Sequence, residues 1–300
     1  MEQSILIGLR DSFLERSSLA DLPDRIWLDI GAHVTYGTNA IEGGTVTQEE
    51  VRKIIVDGVG VAGRPMSEIL ETVQHQQALR SLLARTGRQM DLVTILELHE
   101  AVFKGIKTDA GQWRRVNVRI SGSSHSPPRM EKVIPAMERF LAEYGRRDLE
   151  GEDAFALGAW MHTCYERIHP FSDGNGRVGR LLLNLHLMKR NWLPVAIGPP
   201  VRATYIESLE KAPENANELL AGLIRLLEGE ALLLTLDSIG TARDELGPLR
   251  VLDGEGGYSA KYLSLRAGQG MLPAVKRSGD WWTSRRAIEL YRRSVTARAR

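Results

Sequence analysis

Between Ile168 and Arg180 the chain reads IHPFSDGNGRVGR, a short stretch in which nearly every side chain could do chemistry. His169 has an unperturbed pKa near neutrality and is suited to taking a proton from a hydroxyl. Asp173 is a hard oxygen ligand of the kind Mg²⁺ accepts when phosphates complete its shell. Proline at 170 stops the helical segment before it, SDGNG reads as a loop, and RVGRLLLNLHL begins a new helix. Gly174, Asn175 and Gly176 therefore sit at a helix N-terminus, where unpaired amides and a partial positive charge attract an anion. Glycine lets the backbone come close to such an anion. Arg177 and Arg180, three apart, share a helix face beside it. The set is an anion cradle, two cations, a metal ligand and a general base, which together suit phosphate chemistry.

Such a constellation needs a rigid frame, and the surrounding pattern is overwhelmingly helical. Apolar residues recur at helical spacing in TQEEVRKIIVDG, MSEILETVQHQQALRSLLAR, DLVTILELHEAVFKGI, MEKVIPAMERFLAEYG, DAFALGAWMHTCYERI, RLLLNLHLMKRN and RATYIESLEKA. One segment departs from this. RRVNVRISGSSHSPP alternates over Val116, Val118 and Ile120 before a Gly/Ser turn and two prolines, which predicts a short strand or hairpin. With 300 residues, 43% of them apolar, the chain can bury a sizeable core in one large and one small domain. The N-terminus, MEQSILIGLRDSF, carries a glutamate at position 2 and too short an apolar run for a signal peptide. The window Leu219–Leu236 holds Arg225, Glu228 and Glu230, too many charges for a membrane span, and reads as a buried helix. A single cysteine, Cys164, cannot form an internal disulfide and suits a reducing, cytoplasmic setting.

Charge divides the chain. Net charge is +1, so the whole is no polyanion binder, yet the stretch from Tyr258 to Arg300 holds ten Lys/Arg against two Asp/Glu, a net +8 that leaves −7 for the rest. A glycine-rich linker, LGPLRVLDGEGGYS, precedes it and marks a boundary near residues 245 to 255. The expected organisation is an N-terminal helical region over 1–90, a catalytic core over 91–240 and a small basic domain over 250–300.

The residues His169, Phe171, Asp173, Gly174, Asn175, Gly176, Arg177 and Arg180 match the motif HxFx(D/E)GNGRxxR of the Fic family without a gap, and the resemblance extends over about residues 30 to 230. It implies an all-α fold: a Fic helical bundle with a short β-hairpin flap, followed here by a small C-terminal winged helix-turn-helix-like domain. It also implies a protein adenylyltransferase, which moves AMP from ATP to a hydroxyl of a target protein with Mg²⁺ as cofactor. His169 would deprotonate the hydroxyl. Asp173 would hold Mg²⁺ at the α- and β-phosphates. Gly174, Asn175 and Gly176 would cradle the phosphates, with Asn175 helping to orient them. Arg177 would meet the β-phosphate region and Arg180 the γ-phosphate. Ile120, Ser121, Gly122 and Ser123 resemble the flap that pins the target, after a GQWR lead-in (Gly111 to Arg114) like the family's GxxR. Tyr205 falls where relatives place a tyrosine near the adenine. Pro213 stands where some relatives have an asparagine. Phosphotransferring relatives carry lysine where this chain has Gly176, which argues against kinase-like chemistry.

Far upstream, TNAIEG (Thr38 to Gly43) resembles the family's inhibitory pattern (S/T)xxxE(G/N), which implies a self-inhibited member. The physics is direct: Arg180 needs an anion, and without a γ-phosphate the Glu42 carboxylate can supply one. Other features read more plainly. GVGVAG (Gly58 to Gly63) satisfies GxGxxG but follows a helical segment with no βαβ context, and so reads as a loop. His75 and His99 read as hydrogen-bonded core residues, His162 as support for the motif, and Cys164 as an inert buried thiol. The basic C-terminus resembles MerR-like and excisionase-like modules, with a helix, a strand pair around Trp281 and Trp282, and a helix. DNA is therefore an expected partner beside ATP and a target protein. No membrane contact is expected, and a homodimer is compatible with the sequence. Alternatives left open are removal of AMP, transfer of another phosphate-containing group, and a DNA-binding regulator whose Fic domain senses ATP.

Overall fold

The structure, a computed structural model, describes residues 1–212 and 217–298; the position of Pro213 lies outside them. The described chain is mostly helical and forms two compact units.

The larger unit comprises Pro23–Arg190 and Ala196–Ala221. Its helices are α2 (Asp24–Ile41), α3 (Gln48–Arg52), α4 (Met66–Ser81), α5 (Leu92–Phe103), α6 (Val133–Leu149), α7 (Ala154–Ile168), α8 (Asn175–Met188) and α9 (Arg202–Glu210). Local sequence explains their limits. The Asp153 carboxylate accepts from the amides of Phe155 and Ala156 and starts α7, and Asp91 accepts from Thr94 and starts α5. A capping box between Thr47 and Glu50 starts α3, which runs on into a π turn over Lys53–Asp57. Helix α7 stops at His169 in a left-handed conformation (φ 52°), followed by Pro170, and Gly174 (φ 82°) turns the chain into α8. Helix α8 is buried almost throughout, its polar side chains Asn175, Arg177, Arg180, Asn184 and His186 included. It packs on α7, where Gly158 lies so near His186 that an added Cβ would stand 3.0 Å from the ring. Leu98, Val102, Phe103, Phe155, Met161, Tyr165, Phe171, Leu181, Leu182 and Leu185 fill the space around this pair. Each such side chain contributes about 1.5–3 kcal/mol of burial.

The smaller unit comprises Met1–Leu22, Asn191–Val195 and Gly222–Arg300. It holds α1 (Gln3–Leu14), most of α10 (Glu218–Ile239), α11 (Ala260–Gly268) and α12 (Arg285–Arg298). Three short antiparallel strands join them: β1 (Gly247–Pro248), β2 (Val275–Arg277) and β3 (Asp280–Thr283), in the order β1-β3-β2 with Trp282 opposite both Pro248 and Val275. Leu249, Leu252, Leu263, Leu272, Ile288 and Tyr291 form its core together with Ile5. Helix α1, which the apolar pattern did not announce, therefore shares a core with the C-terminal residues. Within α10, Glu228 is fully buried; its Oε1 accepts from the Leu193 amide at 2.9 Å and burial pushes its pKa up to about 8. Among the described residues no helix is long and apolar enough to cross a membrane.

The expected β-hairpin flap is absent: residues 115–129 form a loop with no strand. Its two arms are tied by side chains rather than by a backbone ladder. The Arg114 guanidinium donates to the carbonyls of Val116 and Pro128, and Asn117 Oδ1 accepts from the Met130 amide. With those groups engaged laterally, the alternation of Val116, Val118 and Ile120 has no partner strand to register against.

Candidate active site

The loop from Phe171 to Gly174 joins the C-terminal end of α7 to the start of α8. Asn175 fixes its shape: Oδ1 accepts from the Phe171 amide at 2.8 Å and Nδ2 donates to the Phe171 carbonyl at 2.9 Å. Both ends of this amide are thus used inside the loop, and the side chain is 2% exposed. Asn175 therefore shapes the cradle, with its amide engaged by the Phe171 backbone. His99, on α5, supports the loop from beneath. It accepts the Gly111 amide on Nδ1 at 2.9 Å, so Nε2 carries the proton and donates to the Asp173 carbonyl at 3.1 Å. Its ring stacks on Phe171 with centroids 3.8 Å apart. The first intrahelical bond of α8 runs from the Val178 amide to the Gly174 carbonyl at 3.1 Å. The amides of Asn175, Gly176 and Arg177 precede it and point outward as helix-start donors.

His169 stands one residue beyond α7. Its Nδ1 donates to the Glu166 carbonyl at 3.1 Å, which leaves the Nε2 lone pair free to accept. Burial lowers its pKa from the ordinary value, Arg114 adds to this, and the Glu166 carbonyl, Glu42 and Asp173 oppose it. The ring is therefore neutral at pH 7, the state a base requires. Asp173 is about half exposed. Its Oδ1 accepts from the Gly174 amide at 2.6 Å and its Oδ2 pairs with Lys107 Nζ at 2.5 Å. Burial works to raise its pKa, but Lys107 overcomes this and keeps the carboxylate ionised.

The two arginines are both engaged by carboxylates. Arg180, 4% exposed, donates through Nη2 to Glu42 Oε1 at 2.6 Å and through Nε to Thr38 Oγ1 at 2.6 Å. Thr38 begins the last turn of α2 and Glu42 is its C-cap residue, so one helix end supplies both contacts. Burial would raise the Glu42 pKa, yet the Arg180 charge and hydrogen bond hold it below the usual range. Gly176 makes room for this: an added Cβ would collide with Glu42 Oε1 and approach Arg180 Nη1 to 2.9 Å. Arg177 lies over the Phe103 ring, 4.5 Å from its centroid, and pairs with Glu71 of α4. Glu42, Glu71 and Arg177 line one cavity of about 190 Å³ together with Asn39, Glu68 and Thr72.

Three residues near this centre escaped the sequence. Glu71 gave no motif signal. Glu166 lies one helical turn before His169, with Oε1 buried and without a hydrogen-bond partner, and burial pushes its pKa up to about 8. Gly179 lacks the Cβ that would strike that oxygen. Lys107 follows α5 and gave no signal either. Tyr205 was expected against a base. It is instead 2% exposed, with its hydroxyl 2.8 Å from His162 Nε2 and 3.5 Å from Arg180 Nη1. The phenol faces inward because the two buried polar groups need a partner. His162 does support the motif, through Tyr205. His75, paired with Thr35 Oγ1 at 2.9 Å, is a hydrogen-bonded core residue as expected, as is His99. The GVGVAG segment is a loop. Cys164 is half-buried rather than buried, and burial raises its thiol pKa to about 11. The predicted flap residues Ile120, Ser121, Gly122 and Ser123 line a cavity of about 90 Å³ with Thr163, Glu166 and Arg167 of α7 and with Ile206, Leu209 and Glu210 of α9.

Comparison with known proteins follows the same lines. Residues 89–187 match the model of the Fic/DOC family. The protein adenylyltransferase Fic of Nematostella vectensis is 33% identical over 181 residues, 59% of this chain and 42% of that protein. The protein adenylyltransferase fic-1 of Caenorhabditis briggsae is 31% identical over 182 residues, 59% and 36% of the two. The chain thus spans about a third to a half of the length of the curated relatives it matches. Among solved structures, a Fic domain containing signaling protein from Bacteroides thetaiotaomicron superposes with a TM-score of 0.69 over 78% of this chain and 97% of that one, at 21% identity. Fic-1 (residues 134–508) from C. elegans superposes with a TM-score of 0.67 over 78% and 70%, at 26% identity.

Proposed function

With residues 89–187 forming a Fic/DOC domain, we propose that the chain is a protein adenylyltransferase held inactive by its own Glu42. The observation that carries the second part is the buried Arg180 bonded to Glu42 Oε1 at 2.6 Å, with Gly176 leaving room for the carboxylate. In this reading His169 Nε2 takes the proton of a target hydroxyl as that oxygen attacks the α-phosphorus of ATP, and pyrophosphate leaves. The amides at the start of α8 and the two arginines neutralise the phosphate charge, which is where most of the rate comes from in such transfers. Asp173 fits a single-carboxylate Mg²⁺ site: it is ionised, partly open, and a cation, Lys107, already sits on Oδ2. Among the described residues no cluster of three or more His, Cys, Asp or Glu offers an all-protein site, so Asp173 would hold the ion with phosphate oxygens. The metal would supply charge neutralisation between the phosphates. The small cavity under Ile120–Ser123, with Ile206 and Leu209 as apolar walls, suits a flat nucleobase. Tyr205 serves by bracing Arg180. A cytoplasmic setting is supported by the lone thiol.

The test is incorporation of α-labelled ATP into the wild-type chain, Glu42→Gly and Glu42→Gly/Arg180→Ala. More than a third of the Glu42 side chain is exposed, so the low end of the charge-assisted range applies, about 1.4 kcal/mol. That corresponds to a rise of at least about ten-fold in Glu42→Gly, cancelled in the double variant. Equal labelling of the first two would sink the inhibitory role. Incorporation from γ-label instead of α-label would replace adenylylation by phosphoryl transfer.

A second reading concerns residues 250–300. Helix α11, the β2–β3 hairpin and α12 surround one core, and Lys261, Lys276 and Arg277 are exposed, Arg277 lying 3.6 Å from the Asp237 carboxylate. We propose that this surface meets the backbone of duplex DNA. Many of the other arginines there pair with carboxylates, such as Arg285 with Glu255 and Arg286 with Asp244, so affinity should be modest and steeply salt-dependent. An anisotropy titration at low salt that shows no binding would turn this module into a protein-docking element.

A further inference from the structure

Arg114 lies outside the phosphate loop, yet all of its donors converge on the segments around His169. Nε donates to the His169 carbonyl at 2.8 Å and Nη1 to the Val116 carbonyl at 2.9 Å, while Nη2 donates to the Pro128 carbonyl. The Arg114 amide donates to the Pro170 carbonyl at 3.0 Å. Val116 and Pro128 stand on the two arms of the 115–129 loop. The residue is 4% exposed, and among the described residues no carboxylate pairs with it. Burial lowers its pKa from the ordinary value. A cation surrounded by carbonyl dipoles alone is costly to keep in a protein interior. The cost falls at a place where the backbone is itself strained: His169 holds φ 52°, a region that a residue with a Cβ enters at a penalty.

We propose that Arg114 is a positioning residue that locks His169 and both arms of the 115–129 loop into one piece, so that a polypeptide docked on the loop brings its hydroxyl to His169 Nε2 in register. This rests on the reading of His169 as the base. The arrangement has an electrostatic side as well. The groups that bear on the His169 ring are the Glu166 carbonyl, Arg114, Glu42 and Asp173. Of these only Arg114 is a cation. It opposes protonation of the ring, and the two carboxylates favour it. The same guanidinium therefore sets where the base stands and keeps it in the form that accepts a proton.

The experiment uses the full chain in the Glu42→Gly background and follows self-labelling from α-labelled ATP against ATP concentration and pH. Arg114→Lys keeps the charge and loses the three-way fork. Its maximal rate should fall at least about ten-fold, with half-saturation by ATP unchanged within about two-fold and the acid limb of the pH profile in place. Arg114→Gln loses the charge, and its acid limb should move to higher pH. Parent-like rates in both variants, a loss confined to ATP half-saturation, or an unmoved acid limb in Arg114→Gln each overturn the proposal. If Arg114→Gln does not fold, the rate-against-saturation split in Arg114→Lys decides alone. His169→Ala in the same background separates the two layers. An inactive His169→Ala beside parent-like Arg114 variants removes only the role of Arg114, and an active His169→Ala removes the base and this proposal with it.

Discussion

At the scale of single residues, the site is a set of charges already satisfied by one another. Arg180 has Glu42, Arg177 has Glu71 and Asp173 has Lys107. On the proposed reading ATP would displace protein ions rather than fill empty sockets, and each displacement would offset part of its affinity. On the same reading Glu71, paired with Arg177, would be a second restraint. Removing Glu42 frees only Arg180, so Glu71→Gln added to Glu42→Gly should tighten ATP binding a further few-fold, read by isothermal titration. Weaker binding in the double variant would make Glu71 a support for Arg177 instead of a competitor. His169 as the proposed base also has a testable signature. Burial lowers the pKa of His169, so it stays neutral as pH falls through the ordinary histidine value. In Glu42→Gly, labelling should hold down to below about pH 6.5 and decline only under that. An acid limb above pH 7 would contradict a buried neutral imidazole.

Among the elements, helix ends do most of the positioning. The C-terminal end of α2 delivers Thr38 and Glu42, that of α7 delivers His169, and the start of α8 delivers the amides and arginines. The helix ends thus place the candidate groups, while the caps at the far ends hold the helices. Asp153→Ala, which removes the α7 N-cap, should cost about 1 kcal/mol and lower Tm by about 2–4 °C by calorimetry, while His169 chemistry at 25 °C persists. Much of this was legible in advance, because Pro170, Gly174 and the apolar period of α8 carry local signals. What stayed hidden depends on contacts remote in sequence. Glu71 meets Arg177 across 106 positions, and nothing near Glu71 marks it. Asn175 looked like an anion ligand because its type allows that, and only the fold shows its amide closed on Phe171. The alternation in residues 115–129 predicted a hairpin. Arg114, reaching both arms, took the place of the ladder. Helix α1 was missed because its apolar stripe is brief and finds its partners at the far end of the chain.

For the molecule as a whole, the composition conceals division: near-neutral overall, the chain has one unit that holds the ion-paired site and another that gathers the basic C-terminus. The second unit also stores a pH dependence. Glu228 has its pKa raised to about 8, and Glu230 to about 7, both by burial. A carboxyl whose folded pKa lies above its unfolded value contributes stability that is complete below about pH 4.5 and is lost as pH rises through the folded value. The melting temperature should therefore fall between pH 6 and pH 9, and Glu228→Gln, which keeps an acceptor for the Leu193 amide, should flatten that fall. A wild-type profile already flat over this range would refute the buried neutral acid. In the first unit, Glu42 and Arg180 belong to one chain, so on the proposed reading the restraining carboxylate would be a tethered ligand whose effective concentration, of order millimolar or above, does not change when the protein is diluted. A cell could then make more or fewer copies without altering the fraction that such a contact restrains. Activity would then be set by whatever moves the end of α2, and not by abundance.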